Sequence, residues 1–429
     1  MTRATHKTHA THKIHTNKTR KRKNKCEKEG WISLSVSGSP YEMGYQHGSI
    51  LRKQMEKVKP VMKYLVEKFY KTTLPEYIAK CVSLVSFTPE WKNIHDELRG
   101  ICDGCHSVLS LDELIAWNMY LSMDEIYGSA NGDQRCSAFI ATGSKTHDGK
   151  ILMAHNTHCD YASGFISNIV LHMNPTAPGS FPFVMQTLPG MVCSSTDWFI
   201  CSTGIIGCET TISDINYIPD FERGVPYFFR IRKAMETGKT LDDYVSIMMD
   251  KNAGDYACSW LFGDINTGEI MRFELGKKFH GIQRTTDGFY YGMNSAFTPE
   301  LAMNETNDTG LNDPHSGTGS RNLRLENLLS ERVLDLKYAK KVLADHYDYS
   351  ENTFRKGMRG ICKHKECETG ENYKIAGAVD GKVVDATLAK KMKFIGRMGS
   401  SCGRVFLKKE YPDVPDCVEN MPKYKWIQL

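Results

Sequence analysis

The 429-residue sequence predicts an α+β fold in which two packed β-sheets carry helices on their outer faces. Three observations predict it. Apolar residues recur at helical spacing before residue 130, strand-like segments dominate from residue 136, and two helical segments separate two groups of those strands. Sheets that each bury one apolar face pack together, and helices cover the outer faces. The expected arrangement is a four-layer αββα sandwich.

Three parts are expected along the chain. Residues 1–29 repeat Thr-His-Lys triplets and include the basic cluster KTRKRKNK, which is typical of a disordered, solvated tail. Clustered cations also bind phosphates, so contact with anionic surfaces, or a nuclear or nucleic-acid address, stays open for this tail. The apolar spacing within residues 30–135 predicts a helical segment, and the residues at 131–133 predict a turn near its end. Residues 136–429 predict the sheet-based core.

Composition limits the classes of protein. Hydrophobic residues make up 41% of the chain and the net charge is only +5, much of it in the tail. We therefore expect a globular core that does not bind nucleic acid. No run of about 18 apolar residues predicts a membrane span, and no secretory apolar segment precedes the body, which favours an intracellular protein. Fourteen scattered cysteines suit reduced thiols.

Strands and helices can be assigned from residue 136 onward. The helical segment TLDDYVSIMMD begins after a candidate N-cap, Thr240, and SWLFGDINTGEIMRFELG reads as a hairpin. Further helices are expected at SRNLRLENLLSERV and LKYAKKVLADHY. The predicted consecutive antiparallel strands are CSAFIATG, KILMAHN, FISNIVLHM, FPFVMQ and FICSTGIIGCETTI.

Cys136 is the candidate nucleophile. If the turn between CSAFIATG and KILMAHN is centred on Asp148, antiparallel pairing brings Cys136 opposite residues 156–158, so that it faces Asn156 and His158. A thiol beside an amide and an imidazole can perform nucleophilic catalysis. A cysteine at a strand start can equally be a small buried apolar residue.

Several ordered motifs resemble one enzyme class. The stretch from Arg135 to Ile212 is similar to the phospholipase B-like proteins and to the acyl-CoA:6-aminopenicillanic acid acyltransferase-like (C45) group of N-terminal-nucleophile (Ntn) hydrolases. The matching segments are GSPYEMGYQHG, CSAFIATG, ILMAHNT, LPGMVCSSTDWFICSTGIIGCETTI, GDINTGEIMRFELG, YYGMN and SRNLRLENL.

The resemblance implies a mechanism. The chain would cut its own bond between Arg135 and Cys136, and the new α-amine, with an ordinary pKa near 8, would act as the base for the thiol. Asn156 would orient that amine or donate to the oxyanion. Asn294 and Arg321 match an asparagine and an arginine of the bile-salt-hydrolase relatives, although Arg321 could instead be an exposed residue in the first turn of a helix.

Other residues are expected around this site, and no cofactor is expected. His155, His158, Glu209 and Thr210 are predicted to line the substrate or oxyanion pocket. The substrate would be an acylated, lipid-like amide or ester. Transfer of the acyl group to an amine stays open, as does an uncleaved homologue that only binds lipid or a partner, because Arg135 is an unusual residue before such a cut.

Metal binding is not predicted. His155, His158 and Cys159 lack a second pair of ligands at metal spacing. Cys362 and Cys367 could bridge or bind a metal, and we interpret them as thiols of a surface loop.

Overall fold

The computed structural model describes residues 25–128 and 135–429. The predicted turn at residues 131–133 and most of the predicted tail lie outside these ranges, as does the side chain of Arg135. The fold mixes helices and strands, which confirms the predicted combination of α and β structure. The helices are α1 (Pro40–Ile50), α2 (Arg52–Leu65), α3 (Leu74–Leu84), α4 (Lys92–Gly104), α5 (Leu111–Asn118), α6 (Tyr161–Gly164), α7 (Tyr227–Thr237), α8 (Leu241–Met249), α9 (Pro299–Asn304), α10 (Gly317–Glu331), α11 (Leu336–Leu343) and α12 (Ala386–Ala389).

Two large sheets hold most of the strands. The strands are β1 (Lys25–Lys28), β2 (Trp31–Gly38), β3 (Arg135–Thr142), β4 (Leu152–Asp160), β5 (Ile169–Pro175), β6 (Phe183–Thr187), β7 (Trp198–Cys201), β8 (Ile205–Thr211), β9 (Cys258–Asp264), β10 (Glu269–Leu275), β11 (His280–Thr285), β12 (Gly288–Gly292), β13 (Tyr347–Asp348), β14 (Thr353–Phe354), β15 (Ala376–Ala378), β16 (Asp380–Asp385), β17 (Ile395–Met398) and β18 (Ile427–Gln428). The first sheet has the order β1-β2-β5-β6-β7-β8-β9-β10-β11, and the second has the order β12-β3-β4-β16-β17-β18, with β15 also paired to β4.

Antiparallel pairing dominates the first sheet. From β5 to β11, consecutive strands pair antiparallel. The order from β5 to β8 is as the sequence predicts, but β4, predicted to continue into β5, lies in the second sheet, and β9 and β10 join the first. The segment before residue 130 is less uniform than predicted. Residues 25–28 form a strand rather than the end of a tail, and β2 lies inside the sheet, where it pairs with β1 and, in parallel, with β5. Apolar and serine residues alternate along WISLSVSG, and the apolar ones are buried, which is typical of a strand with one buried face. The helical prediction overlooked this pattern.

The two faces of the second sheet have different neighbours. Ile140 of β3 and Met153 of β4 join the large core that the first sheet also contributes to. Phe139 and Leu152 point the other way and pack with Leu325 of α10 and Val342 of α11. Residues next to each other on a strand point to opposite faces, so β3 and β4 have one face toward the first sheet and one face toward helices.

Helices α1 and α4 cross at very short range. A Cβ atom added at Gly44 would lie 2.1 Å from the carbonyl oxygen of Glu97, and one at Gly100 would lie 2.2 Å from that of Tyr41. Only glycine permits such an approach of two helix backbones. This crossing holds the helical segment together beside the first sheet.

No helix in residues 25–128 and 135–429 has both the length and the apolar character that a membrane span requires.

Candidate active site

The pairing of β3 with β4 decides which residues Cys136 faces. Cys136 lies directly opposite Thr157, within the predicted range of residues 156–158. Directly paired residues of antiparallel strands share a face, and their neighbours point to the other face. Cys136 and Thr157 therefore point toward the first sheet. The prediction that Cys136 faces Asn156 and His158 is wrong, because those two side chains alternate to the helical face.

Asn156 and His158 are bound on that opposite face. Asn156 Nδ2 donates to the carbonyl oxygens of Leu343 at 2.7 Å and Ile361 at 3.2 Å, and Ser401 Oγ donates to Asn156 Oδ1. His158 Nε2 donates to Ile361 O at 3.0 Å. These contacts give Asn156 a structural task, and within the described part of the chain its amide makes no hydrogen bond to Cys136.

Asn294 and Arg321 hold the backbone of Cys136. The Cys136 amide N–H donates to Asn294 Oδ1 at 3.1 Å, and Arg321 Nη1 donates to the Cys136 carbonyl oxygen at 2.6 Å. Arg321 Nη2 also donates to Asn294 Oδ1 at 3.0 Å. Both polar groups of the Cys136 backbone are thus fixed by side chains from distant elements. The alternative of an exposed Arg321 is wrong, since its exposed fraction is 1%.

Local geometry explains how Asn294 reaches this position. Asn294 has a φ of +88°, a region in which asparagine is favoured among non-glycine residues. It follows β12, whose Gly292 lies so close to β8 that an added Cβ would come within 2.2 Å of Thr210 Oγ1. Asn294 Nδ2 donates to Thr211 O at 2.7 Å, which leaves Oδ1 directed to Cys136. Glycine at 292 therefore permits the sheet contact that places this amide.

A narrow, partly open pocket, referred to below as the cavity, lies beside Cys136. Its apolar walls come from both the helical segment and the loop after β6, and its polar wall includes Asp197 and Tyr256. The apolar lining residues are Trp117, Tyr120, Leu121, Leu188 and Met191. His158 borders this cavity, whereas His155, Glu209 and Thr210 are fully buried and are not part of the wall that the described residues form.

Two buried carboxyl groups meet at the polar wall. Tyr256 Oη lies 3.1 Å from Asp197 Oδ2 and 3.1 Å from Glu209 Oε1. Burial raises the pKa of Asp197 to about 6, and burial together with the Asp197 charge raises the pKa of Glu209 well above its ordinary value. Like charges this close cannot both ionise cheaply, so the pair shares a proton at pH 7.

A buried ammonium group lies behind the thiol. Lys382 Nζ donates to Thr157 Oγ1 at 2.8 Å and to Asp380 Oδ2 at 3.1 Å, and both charged side chains are fully buried. Asp380 also accepts from the Thr157 amide N–H at 3.0 Å and from Gln186 Nε2 at 2.8 Å. These bonds compensate the burial of both charges.

The Cys136 thiol is protonated in this environment. Burial raises its pKa well above the ordinary value, and the negative charge of the Glu209–Asp197 pair raises it further. Burial also holds the pKa values of His155 and His158 well below their ordinary value, so both rings are neutral. His155 Nε2 donates to Glu209 O at 3.0 Å. Both rings are therefore weak bases for the thiol proton.

Comparisons with known proteins add little to this geometry. No protein-family model matches the sequence. An uncharacterized protein of Archaeoglobus fulgidus is 23% identical over 274 residues, which are 55% of this chain and 43% of that protein. The chain thus spans under half the length of that relative.

Two variants of the conjugated bile acid hydrolase of Clostridium perfringens are similar solved structures. Each has a TM-score of 0.36, and the identities are 9% and 10%. The matches cover 68% and 61% of this chain and 96% and 89% of those chains. Similarity at this level carries no conclusion about the site, whose chemistry rests on its own contacts.

Several residues of the site are not predicted from the sequence. Asp380 and Lys382 lie on β16, a short strand that was not predicted, and Tyr256 lies in a loop. Cys362 was predicted to be a surface thiol and is fully buried, because the 355–367 segment folds under β4 against Asn156 and His158.

Proposed function

We propose that this protein is a self-processing Ntn cysteine hydrolase that cleaves the amide bond of acylated small molecules. The proposal includes the αββα layering and the cut between Arg135 and Cys136. One observation carries it: the Cys136 thiol borders a cavity while Asn294 and Arg321 fix the amide and carbonyl of the same residue.

Self-cleavage would be the first step. The Cys136 sulfur attacks the carbonyl carbon of Arg135, the bond from that carbon to the Cys136 nitrogen breaks, and the thiol proton passes to the nitrogen. Water then hydrolyses the thioester, which leaves a carboxylate on Arg135 and a free thiol and α-amine on Cys136. Asn294 and Arg321 would act as positioning residues, because they hold Cys136 while its sulfur moves onto the neighbouring carbonyl.

The new α-amine supplies the missing base. Burial holds the pKa values of His155 and His158 well below their ordinary value, so both rings are weak bases for the thiol proton. An α-amine ordinarily titrates near pH 8, and the guanidinium of Arg321, which contacts the same residue, would lower that pKa further. The free amine at neutral pH takes the proton of the thiol. The thiolate then forms an acyl-enzyme that water releases.

The cavity favours an acyl group as the part of the substrate that is recognised. Aromatic and aliphatic side chains dominate its walls, while Asp197 and Tyr256 supply the polar end. Trp117 and Tyr120 belong to the part before the cut, so we expect both pieces to stay associated through these walls and through the β2–β5 pairing.

Intact-mass analysis tests the processing step. Purified wild-type protein should resolve into residues 1–135 and 136–429, whereas Cys136→Ala should stay at 48.6 kDa. Cys201→Ala is the matched control, since Cys201 is also buried but contacts Met235 and Tyr244 at a distance from the cavity. A wild-type chain that remains whole after prolonged incubation, or cleavage of Cys136→Ala, would contradict the proposal.

A substrate panel tests the reaction. Matched N-acyl amides and acyl esters of increasing chain length are incubated with processed protein, and released acid and amine are quantified by mass spectrometry. We expect amide hydrolysis that Cys136→Ala abolishes. Added amine acceptor reveals acyl transfer if it diverts product from free acid. Turnover that persists in Cys136→Ala excludes the mechanism.

A further inference from the structure

A second cluster of reactive side chains lies on the other side of β4. His346, Cys362, His364 and Cys402 each offer one ligand atom, and these atoms lie within 4.8 Å of one another. The residues come from three separate segments: the chain after α11, the 355–367 segment, and the turn after β17. The hydrolase proposal uses none of them.

We propose that these residues form a structural Zn²⁺ site with two thiolate and two imidazole ligands. Two cysteines and two histidines are a common ligand set for tetrahedral zinc. With Zn–S bonds near 2.3 Å and Zn–N bonds near 2.0 Å, the atoms at the corners of such a tetrahedron are about 3.3 to 3.8 Å apart. His364 Nε2 lies 3.5 Å from Cys362 Sγ and 3.4 Å from Cys402 Sγ, within that range.

The histidines are oriented as zinc ligands are. His364 Nδ1 donates to Glu366 Oε1 at 2.8 Å, so that Nε2 is free to face the two sulfurs. A carboxylate on the second nitrogen is the usual way to fix the tautomer of a metal-binding histidine. The Nε2 atom of His346 is buried without a hydrogen-bond partner in the described structure, an arrangement that a metal bond would satisfy.

The charges also fit zinc. Two thiolates neutralise the ion, and Arg404 Nε lies 3.2 Å from Oε1 of Glu366, which balances the supporting carboxylate. No water-filled fourth position is needed, because four protein ligands complete the shell. Closed sites of this kind stabilise structure and do not catalyse reactions.

The location indicates that the ion would stabilise the contacts of β4. Asn156 binds Leu343 and Ile361 and accepts from Ser401, so each of its partners lies within three residues of a cluster member. His158 also binds Ile361. The ion would fasten the three segments together under β4, directly behind the strand that faces Cys136. This inference is independent of the proposed function, and its test needs no enzyme activity.

Metal analysis of the full-length chain tests the site. Protein purified under reducing conditions with added ZnSO₄, then passed through a desalting column, should hold about one zinc per chain. Cys362→Ala and Cys402→Ala should each lower the content at least about tenfold. Cys417→Ser is the control, since Cys417 is half-buried and outside the cluster. Glu366→Gln should weaken zinc binding by about 10- to 100-fold.

Cobalt provides a readout that does not depend on the stability of variants. Chelator-stripped wild-type protein titrated with Co²⁺ should develop thiolate charge-transfer absorption and the intense visible bands of tetrahedral Co²⁺, saturating near one equivalent. Zinc content below about 0.1 per chain together with no thiolate absorption at saturation would overturn the proposal. A Cys362–Cys402 disulfide in peptide maps of freshly reduced and refolded protein would overturn it as well.

Discussion

Arg321 donates to the carbonyl oxygen of Cys136 at 2.6 Å although 185 positions separate the two residues in the sequence. The same guanidinium donates to Asn294 Oδ1, which accepts from the Cys136 amide. The Arg321 guanidinium thus contacts the carbonyl group of Cys136 directly and supports its amide group through Asn294. The contact ties α10 to the start of β3 and makes Arg321 the most informative position for mutation.

Loss of this guanidinium should slow catalysis. We expect Arg321→Ala to reduce the rates of processing and amide hydrolysis by about 100-fold or more, as removal of a preorganised donor does. Arg321→Lys should lose nearly as much, because an ammonium cannot reproduce the planar fork that reaches two oxygens. Arg324→Ala is the control: Arg324 lies on the same helix but pairs with Asp345. Wild-type processing by Arg321→Ala would refute this role.

Asn294 supplies a side-chain acceptor for the Cys136 amide and also adopts a positive φ, and two variants separate these two roles. Asn294→Gly and Asn294→Ala both remove the acceptor for the Cys136 amide, so processing should fail equally in both. Alanine is strained at a φ of +88° and glycine is not. In a Cys136→Ala background, urea unfolding should therefore show the glycine variant to be more stable by about 1 kcal/mol. Equal stabilities would show that the backbone at residue 294 relaxes.

The buried carboxyl pair should make stability depend on pH. The pKa of Asp197 is raised from 3.8 to about 6, mainly by burial, so the folded state holds a proton that the unfolded chain releases. The stability it contributes is full below about pH 4 and is lost as pH rises to about 6. Relative to the wild type, Asp197→Asn should gain about 3 kcal/mol of unfolding free energy between pH 4 and pH 7.

Urea unfolding at closely spaced pH values, again in the Cys136→Ala background, measures this difference. The exposed Glu56→Gln variant should follow the wild type across the same range. A difference between Asp197→Asn and the wild type that does not change with pH would contradict the raised pKa of Asp197.

The Lys382–Asp380 pair should be strongly coupled. Lys382→Met leaves the fully buried Asp380 carboxylate without its ion pair, and we expect a loss of about 3 to 5 kcal/mol in unfolding free energy. Lys382→Met with Asp380→Asn removes both charges, while the asparagine oxygen still accepts from the Thr157 amide. The double variant should therefore be more stable than Lys382→Met alone. Unfolding free energies are measured by denaturant titration for Lys382→Met, Asp380→Asn and the double variant. A loss in the double variant equal to the sum of the two single losses would contradict the coupling.

Local features were predictable because neighbouring residues determine them. Thr240 caps α8 through a hydrogen bond with the amide of Asp243, as the sequence pattern predicts. The β9–β10 hairpin also forms as predicted, since a turn sequence between two alternating strands specifies both partners. The short strands β15 to β18 were missed, because each is stabilised mainly by pairing with distant strands and carries little local signal.

The sequence by itself determined the combination of helices and strands, the position of the β3–β4 hairpin, and Cys136 as the candidate nucleophile. Only the tertiary structure decided that Cys136 pairs with Thr157, that Asn156 and His158 point to the helical face, and that His346, Cys362, His364 and Cys402 meet. The physical reason is that side chains alternate along a strand, so a one-residue difference in pairing exchanges the two faces. Contacts between distant segments depend on how complete sheets and helices pack.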